Sequence, residues 1–230
     1  MNDININQDV IVKIVKPNTM VSRGRIYDLN RLVNETIELA VEGDFVECGV
    51  YRGGLSALML DKILSNQIDK KLWIYDTFQG MSEPTEVDIS TKNENAVDAF
   101  NTLKNEITGC ADWCKATIDI VELTLKLITQ DYKNYCHLIQ GKVEDTLQII
   151  DNLPKRISLM RLDTDWYEST KIELETFYNM LSAGGIIIID DYRYWQGQKL
   201  AVDEFFDKIE KGSYDFRDGD DGSLIIKKYR

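Results

Sequence analysis

The constraint that narrows the fold most is the alternation of nearly all-apolar short runs with stretches of helical spacing. The runs are DFVECGV (44–50), KLWIYD (71–76), CHLIQG (136–141), RISLMRLD (156–163) and IIIID (186–190). Strands that carry apolar residues on both faces must be covered on both faces. Such strands, separated by helical segments, form a parallel sheet with helices packed on each side. The spacing predicts helices over 55–65, from about 144, over 168–181 and over 201–209. Gly184-Gly185 is expected to stop the third of these and release strand five at Ile186. YDFRD and SLIIKKY, joined by turn residues 219–222, read as a closing pair of strands. A helix over 25–40 precedes the sheet. Residues 80–134 are too long for a bare connection and must carry their own structure, polar at first and helical over 96–127.

With 230 residues, 43% of them hydrophobic, there is material for one sizeable core. A formal net charge of −12 repels phosphate backbones and anionic bilayers, so neither nucleic acid nor membrane is an expected partner. No run is long and apolar enough to span a bilayer, and residues 1–17 hold acids and amides where a signal peptide would be basic, then apolar. A cytoplasmic chain is the expectation. Its cysteines, 48, 110, 114 and 136, form no CxxC pair. A zinc site using Cys110, Cys114, Cys136 and His137 is conceivable, but packed free thiols fit the spacing better. His137 within a strand reads as a packed residue.

In a doubly wound sheet ligands bind outside the carboxyl ends of the strands. Strand one ends in Glu47-Cys48-Gly49 and is followed by Gly53-Gly54, glycines that permit a tight turn and close approach of a ligand. Asp76 ends strand two, where a carboxylate can accept from both hydroxyls of a ribose. Glu47 would repel a pyrophosphate but suit a sulfonium and an ammonium. This favours S-adenosylmethionine over a nicotinamide dinucleotide.

Strand four ends in Asp163-Thr164-Asp165 and strand five in Asp190-Asp191. Neighbouring strands would bring four carboxylates into one crevice, where each raises its neighbours' pKa unless a cation is present. A hard divalent ion is the simplest remedy. Asp163, Asp190 and Asp191 are the candidate ligands and magnesium the candidate ion. Asp165 is the candidate general base on a substrate hydroxyl; the competing reading makes it the cap of the following helix. Tyr192, Arg193, Tyr194 and Trp195 admit two readings, an aromatic wall for an acceptor or a loop packed on the domain.

The segments TMVS (19–22), GDFVECGVYRGG (43–54), YDTFQGMSEP (75–84), LDTDWYEST (162–170), GGIIIIDDY (184–192) and AVDEF (201–205) resemble, in order, the macrocin O-methyltransferase family. The resemblance implies a class I methyltransferase (Rossmann-like) fold, α/β and doubly wound, mostly parallel with a C-terminal antiparallel strand. It implies one domain over 1–230, with a cap segment (1–40) and a lid (80–134), using S-adenosylmethionine and magnesium to methylate a hydroxyl of a sugar or glycosylated metabolite. It places Glu47 and Gly49 along the methionine moiety, Asp76 and Asp163 at the cofactor, and Ser82, Gly141 and Lys142 beside the adenosine. Met20, Val21 and Ser22 close over the cofactor, and Gly53, Ser56 and Phe78 complete its site. Two departures stand out: Gly24 where the family carries an acid, and a long helical segment 86–134. The alternatives are a catechol-type metal-dependent methyltransferase and a non-catalytic cofactor-binding protein. The N-terminal segment and the lid are the candidate contacts of a homodimer.

Overall fold

A computed structural model describes residues 10–230; residues 1–9, the start of the expected cap, lie outside the described residues. The five apolar runs become β1 (Asp44–Cys48), β2 (Leu72–Asp76), β3 (Cys136–Gln140), β4 (Ile157–Leu162) and β5 (Leu181–Ile189), all parallel. The closing pair is β6 (Tyr214–Asp218) and β7 (Leu224–Lys228), with β7 antiparallel to both β5 and β6. The sheet order is β3-β2-β1-β4-β5-β7-β6. The order reverses at β1, whose neighbours are β2 and β4. The loops leaving β1 and β4 therefore diverge and open a crevice at their carboxyl ends.

Helices cover both faces: α1 (Arg23–Glu38), α2 (Gly54–Ser65), α3 (Ala96–Leu103), α4 (Ile118–Lys126), α5 (Val143–Thr146), α6 (Tyr167–Phe177) and α7 (Gln196–Phe206). The period-two alternation of a strand divides the core. Phe45, Ile74, Leu159 and Ile188 pack with Ile26 and Leu29 of α1, Leu58 of α2 and Val121 of α4. Val46, Tyr75, Met160 and Ile187 pack with Leu174 and Phe177 of α6 and Val202 of α7. By the same alternation Glu47 and Arg161 fall on the face shared with α1 and α2, directly opposite one another in the β1–β4 register.

Two expectations are corrected. Gly184-Gly185 do not end a helix: α6 stops at Phe177 and the glycines lie inside β5. The register steps from Ile157↔Leu181 to Leu159↔Ile186, and Gly184 at φ 81° supplies the left-handed backbone that such a bulge needs. The segment 96–127 is not one helical stretch but α3 and α4 with an irregular turn between them. There Asn105 Oδ1 accepts from the Ile107 amide at 3.0 Å, an alternative to helical bonding. Ala111 then returns to bridge Met81 and Lys104. Among the described residues no helix is long and apolar enough to cross a membrane.

Candidate active site

A cleft of about 600 Å³ lies at the carboxyl ends of β1, β4 and β5, a size suited to a small-molecule site. Its floor is an ionic network centred on Arg161. That guanidinium, 3% exposed, reaches Glu47 at 3.0 Å, Asp163 at 2.8 Å and Asp190 at 2.8 Å. A second arginine enters from the first turn of α1. Arg25 Nη1 lies 2.5 Å from Asp190 and 3.0 Å from Asp191, while Nη2 donates to the Asp221 carbonyl at 2.6 Å. Burial lowers the affinity of both guanidiniums for their protons, but the surrounding carboxylates outweigh it and raise both.

Four carboxylates, Glu47, Asp163, Asp190 and Asp191, thus share two guanidiniums, and a fifth, Asp165, stands beside them. Burial pushes Glu47 up to about 7, against the opposing pull of Arg161 and of the Ser56 hydroxyl that donates to it. Burial also raises Asp163 and Asp165 well above the usual carboxylate range. Asp190 adds repulsion at Asp163, as does Asp191 at Asp165. Asp191 is raised by burial and by Asp190.

Asp163, Asp165 and Asp191 each turn an oxygen into one group spanning no more than 4.8 Å. Asp165 sits at φ 69°, and its Oδ1 is buried with no hydrogen-bond partner. A buried, unpaired carboxylate oxygen beside two other carboxylates fits a hard divalent ion. Asp190, expected among the ligands, has one arginine on each oxygen instead. Asp165 is not the cap of α6: Asp88 Oδ1 accepts from the Tyr167 amide at 2.8 Å. No cysteine or histidine joins an ion-holding group among the described residues. His137 stacks on Trp73, ring centroids 4.1 Å apart, at the sheet edge away from the cleft.

Of the expected cofactor residues, Met20, Val21, Glu47, Gly49, Asp76 and Asp163 line the cleft. Gly49 stands at φ 76°, and a Cβ there would meet the Asp163 carbonyl oxygen at 2.0 Å, so the β1 and β4 loops can close only on a glycine. Asp76 accepts from the Val50 amide at 2.8 Å and the Phe78 amide at 2.7 Å, which fixes its carboxylate at the cleft floor. Ser82, Gly141 and Lys142 line a smaller adjoining cavity, which shares Gly49, Asp76 and Asp163 with the cleft. Four expected residues do not line either space. Ser22 caps α1 and donates to Asp220. Ser56 is buried behind Glu47, Phe78 is buried in the core, and Gly53 packs against Val121.

The sequence reading missed Arg25, Arg161 and Trp113. A charged residue within the apolar run RISLMRLD signals an obligatory partner, and that signal was available for Arg161. Of the aromatic segment after Asp191, Tyr194 and Trp195 reach the cleft and Tyr192 and Arg193 do not. Trp195 packs on Trp166 at 5.0 Å and Trp113 at 6.0 Å between centroids, and Tyr194, Trp195 and Trp113 line the cleft.

A seven-stranded sheet of this order, with acids at the ends of β1 and β2 facing the switch-point crevice, defines a class I methyltransferase. The chain belongs to the macrocin O-methyltransferase (TylF) family, whose model matches residues 15–212. It is 28% identical over 201 residues to demethyldecarbamoylnovobiocin O-methyltransferase of Streptomyces niveus, covering 84% of this chain and 69% of that one. It is 31% identical over 185 residues to the 8-demethyl-8-(2,3-dimethoxy-alpha-L-rhamnosyl)-tetracenomycin-C 4'-O-methyltransferase of Streptomyces olivaceus, covering 76% of this chain and 62% of that one. The chain thus spans about two thirds of the length of these relatives. The solved O-methyltransferase NovP superposes with a TM-score of 0.76 at 25% identity, over 93% of this chain and 83% of that one. A TDP-rhamnose 3'-O-methyltransferase of calicheamicin biosynthesis shares the fold, with a TM-score of 0.61 at 16% identity over 98% and 88% of the two chains.

Proposed function

We propose that this chain transfers the methyl group of S-adenosylmethionine to a hydroxyl of a sugar or glycosylated small molecule, with a divalent ion, magnesium, at the aspartate cluster. The observation that carries this reading is the unpaired buried oxygen of Asp165 beside Asp163 and Asp191, on the floor of a cleft edged by Gly49 and Asp76. The family and its sugar-methylating relatives support the same reaction class.

Glu47 and Gly49 line the methionine side and Asp76 the ribose side, with Ser82, Gly141 and Lys142 toward the adenosine. Thr19, Met20 and Val21 cover the cleft from the segment before α1. Asp163 and Asp191 would hold the ion together with the unpaired Oδ1 of Asp165, and Asp190, with an arginine on each oxygen, would keep them in place. When bound, such an ion lowers the pKa of a nearby hydroxyl and orients it. Asp165, raised by burial and by Asp191, takes the hydroxyl proton. The oxygen attacks the methyl carbon in line with the breaking carbon–sulfur bond, and the cofactor leaves as a neutral thioether. In-line positioning carries much of the rate.

Calorimetry with S-adenosylhomocysteine, followed by methyl transfer to neutral glycosides and to catechols with and without a chelator, tests the proposal. Binding, glycoside methylation and loss of turnover on chelation are expected. No cofactor binding would remove the reading; a strong preference for catechols would replace the acceptor. Asp165→Asn is expected to retain cofactor binding while turnover falls by about 10²–10⁴-fold. Undiminished turnover would remove Asp165 as the base.

A further inference from the structure

The segment between β2 and α3 inverts the usual rule of burial. Val87 is 40% exposed, while Asp88 beside it is fully buried. A carboxylate leaves water only where donors replace the water it loses. Asp88 Oδ2 accepts from the Thr85 amide at 2.7 Å and the Thr85 hydroxyl at 2.9 Å, which closes its own loop. Burial pushes this carboxyl up, and the amides of Thr85 and Tyr167 oppose the rise.

The other oxygen serves the catalytic floor. Oδ1 accepts at 2.8 Å from the amide of Tyr167, the first residue of α6. That amide is one of the donors a helix leaves unpaired at its start, and Trp166, at the cap position, offers no side-chain acceptor. Helix α7 closes on the same carboxylate: a Cβ on Gly197, in its first turn, would stand 1.8 Å from Asp88 Oδ1. The backbone beyond Asp88 is tied to the loop before α7. The Gln196 amide donates to the Ile89 carbonyl at 2.9 Å, and the Thr91 amide donates to the Tyr194 carbonyl at 2.8 Å. The amides of Tyr194 and Trp195 donate in turn to the Asp191 carbonyl, at 2.8 and 3.0 Å. One buried carboxylate thus sits where the helices that follow Asp165 and Asp191 begin.

This placement matters most for Asp165, which stands just before α6 with φ 69°. A short carboxylate in that place ordinarily turns back onto the amides of the first helical turn. With Tyr167 already capped, Asp165 keeps a buried, unpaired oxygen, and it joins Asp163 and Asp191 in one group.

We propose that Asp88 is a positioning residue for the methyl transfer: by capping α6 in place of Asp165 and seating the first turn of α7, it fixes Asp165 and Asp191 at their working separation. This rests on the methyltransferase reading above. Asp88 is not among the residues that line the cleft, so it acts through those two aspartates and not on cofactor or acceptor directly.

The test compares Asp88→Ala, Asp88→Asn and Gly197→Ala with the unmodified protein. Calorimetry reads S-adenosylhomocysteine affinity, tryptophan-sensitised luminescence reads terbium affinity, and a p-nitrophenyl 6-deoxyhexoside serves as methyl acceptor. Asp88→Ala is expected to keep its S-adenosylhomocysteine affinity, which certifies the fold, and its KM for S-adenosylmethionine. Its terbium affinity should fall by about ten-fold, and its kcat by about 10²-fold, the effect of a displaced reacting group. Asparagine caps a helix as well as aspartate does, so Asp88→Asn should restore most of both. Gly197→Ala displaces the carboxylate without removing it and should lower both in the same way; it carries the test where Asp88→Ala does not fold. Because Asp88 acts largely through Asp165, adding Asp88→Ala to Asp165→Asn should cost little further turnover. Terbium affinity and kcat unchanged in Asp88→Ala and Gly197→Ala, or losses that multiply in the double variant, overturn this inference alone. An unmodified protein that binds no S-adenosylhomocysteine overturns the methyltransferase reading with it.

Discussion

Replacing Arg161 with methionine isolates the network on which the site stands. The side chains of Arg161, Glu47 and Asp190 are exposed by only 3%, 1% and 3%. Methionine fills much of the volume but leaves the neighbouring buried carboxylates without their shared cation. Breaking a buried pair in this way costs about 3–5 kcal/mol, because the remaining charge is uncompensated. At roughly 2–4 °C per kcal/mol for a chain of this size, the melting temperature falls by on the order of ten degrees at about pH 8. The loss depends on pH with a definite sign. Glu47 already stands near 7 in the folded chain against 4.5 as its ordinary value, and Arg161 is what opposes its rise. An acid raised in the folded state binds its proton there first. Its favourable contribution is therefore full below the ordinary value and is lost as pH climbs through the folded value. Removing Arg161 moves that folded value higher, so the variant's deficit shrinks as pH falls toward about 5. Paired melting curves at the two pH values measure this. Adding Glu47→Gln to Arg161→Met should recover part of the loss, as residues in one network do not add independently. A deficit below about 1 kcal/mol, or one that does not vary with pH, would refute the account of Arg161 as the counter-charge of this floor.

Other outcomes follow from single contacts. Gly49→Ala combines a left-handed backbone with a 2.0 Å approach to the Asp163 carbonyl, so calorimetry should find S-adenosylhomocysteine binding abolished, with at least about 1–3 kcal/mol of stability lost. Glu47→Gln should reduce the fall in stability between about pH 4.5 and 7 that the wild-type side chain contributes, read from denaturant midpoints across that window. Terbium luminescence sensitised by the tryptophans should report ion binding that Asp163→Asn weakens; equal binding by the variant would place the ion elsewhere.

The sheet was legible because its strands are buried on both faces, which leaves the apolar runs continuous and their boundaries sharp. The helical ends were less so. Gly184 reads as a helix stop by composition, yet the same left-handed freedom serves a bulge within β5, and only the pairing with β4 distinguishes the two. The segment between β2 and β3 departs from its expected helix for a related reason. Its apolar spacing suits a helix, but Asn105 bonds its own following amides, and Ala111 finds a partner at Met81 far back in the chain.

The acids of the site could be found because each stands at a strand end, a position fixed by the strand itself. Arg161 stands out as a charge within an apolar run, but which acids the arginines meet belongs to register and tertiary packing. Arg161 meets Glu47 across strands 114 residues apart, and Arg25 reaches Asp190 across 165. Crowded carboxylates need counter-charge, and part of it here is protein rather than ion. Two arginines meet part of it and fix Asp190, while the unpaired oxygen of Asp165 marks the part they leave unmet. The division has a functional consequence. A floor held by arginines keeps its shape without an ion, so the proposed ion would act on the acceptor hydroxyl rather than on folding. Chelation should therefore remove turnover while lowering the melting temperature by only roughly 3–6 °C, the loss of about 1.4 kcal/mol from an ion held at about ten times its Kd, against the drop on the order of ten degrees expected for Arg161→Met. A chelated protein that melts as low as that variant would show that the ion, and not the arginines, holds the floor together.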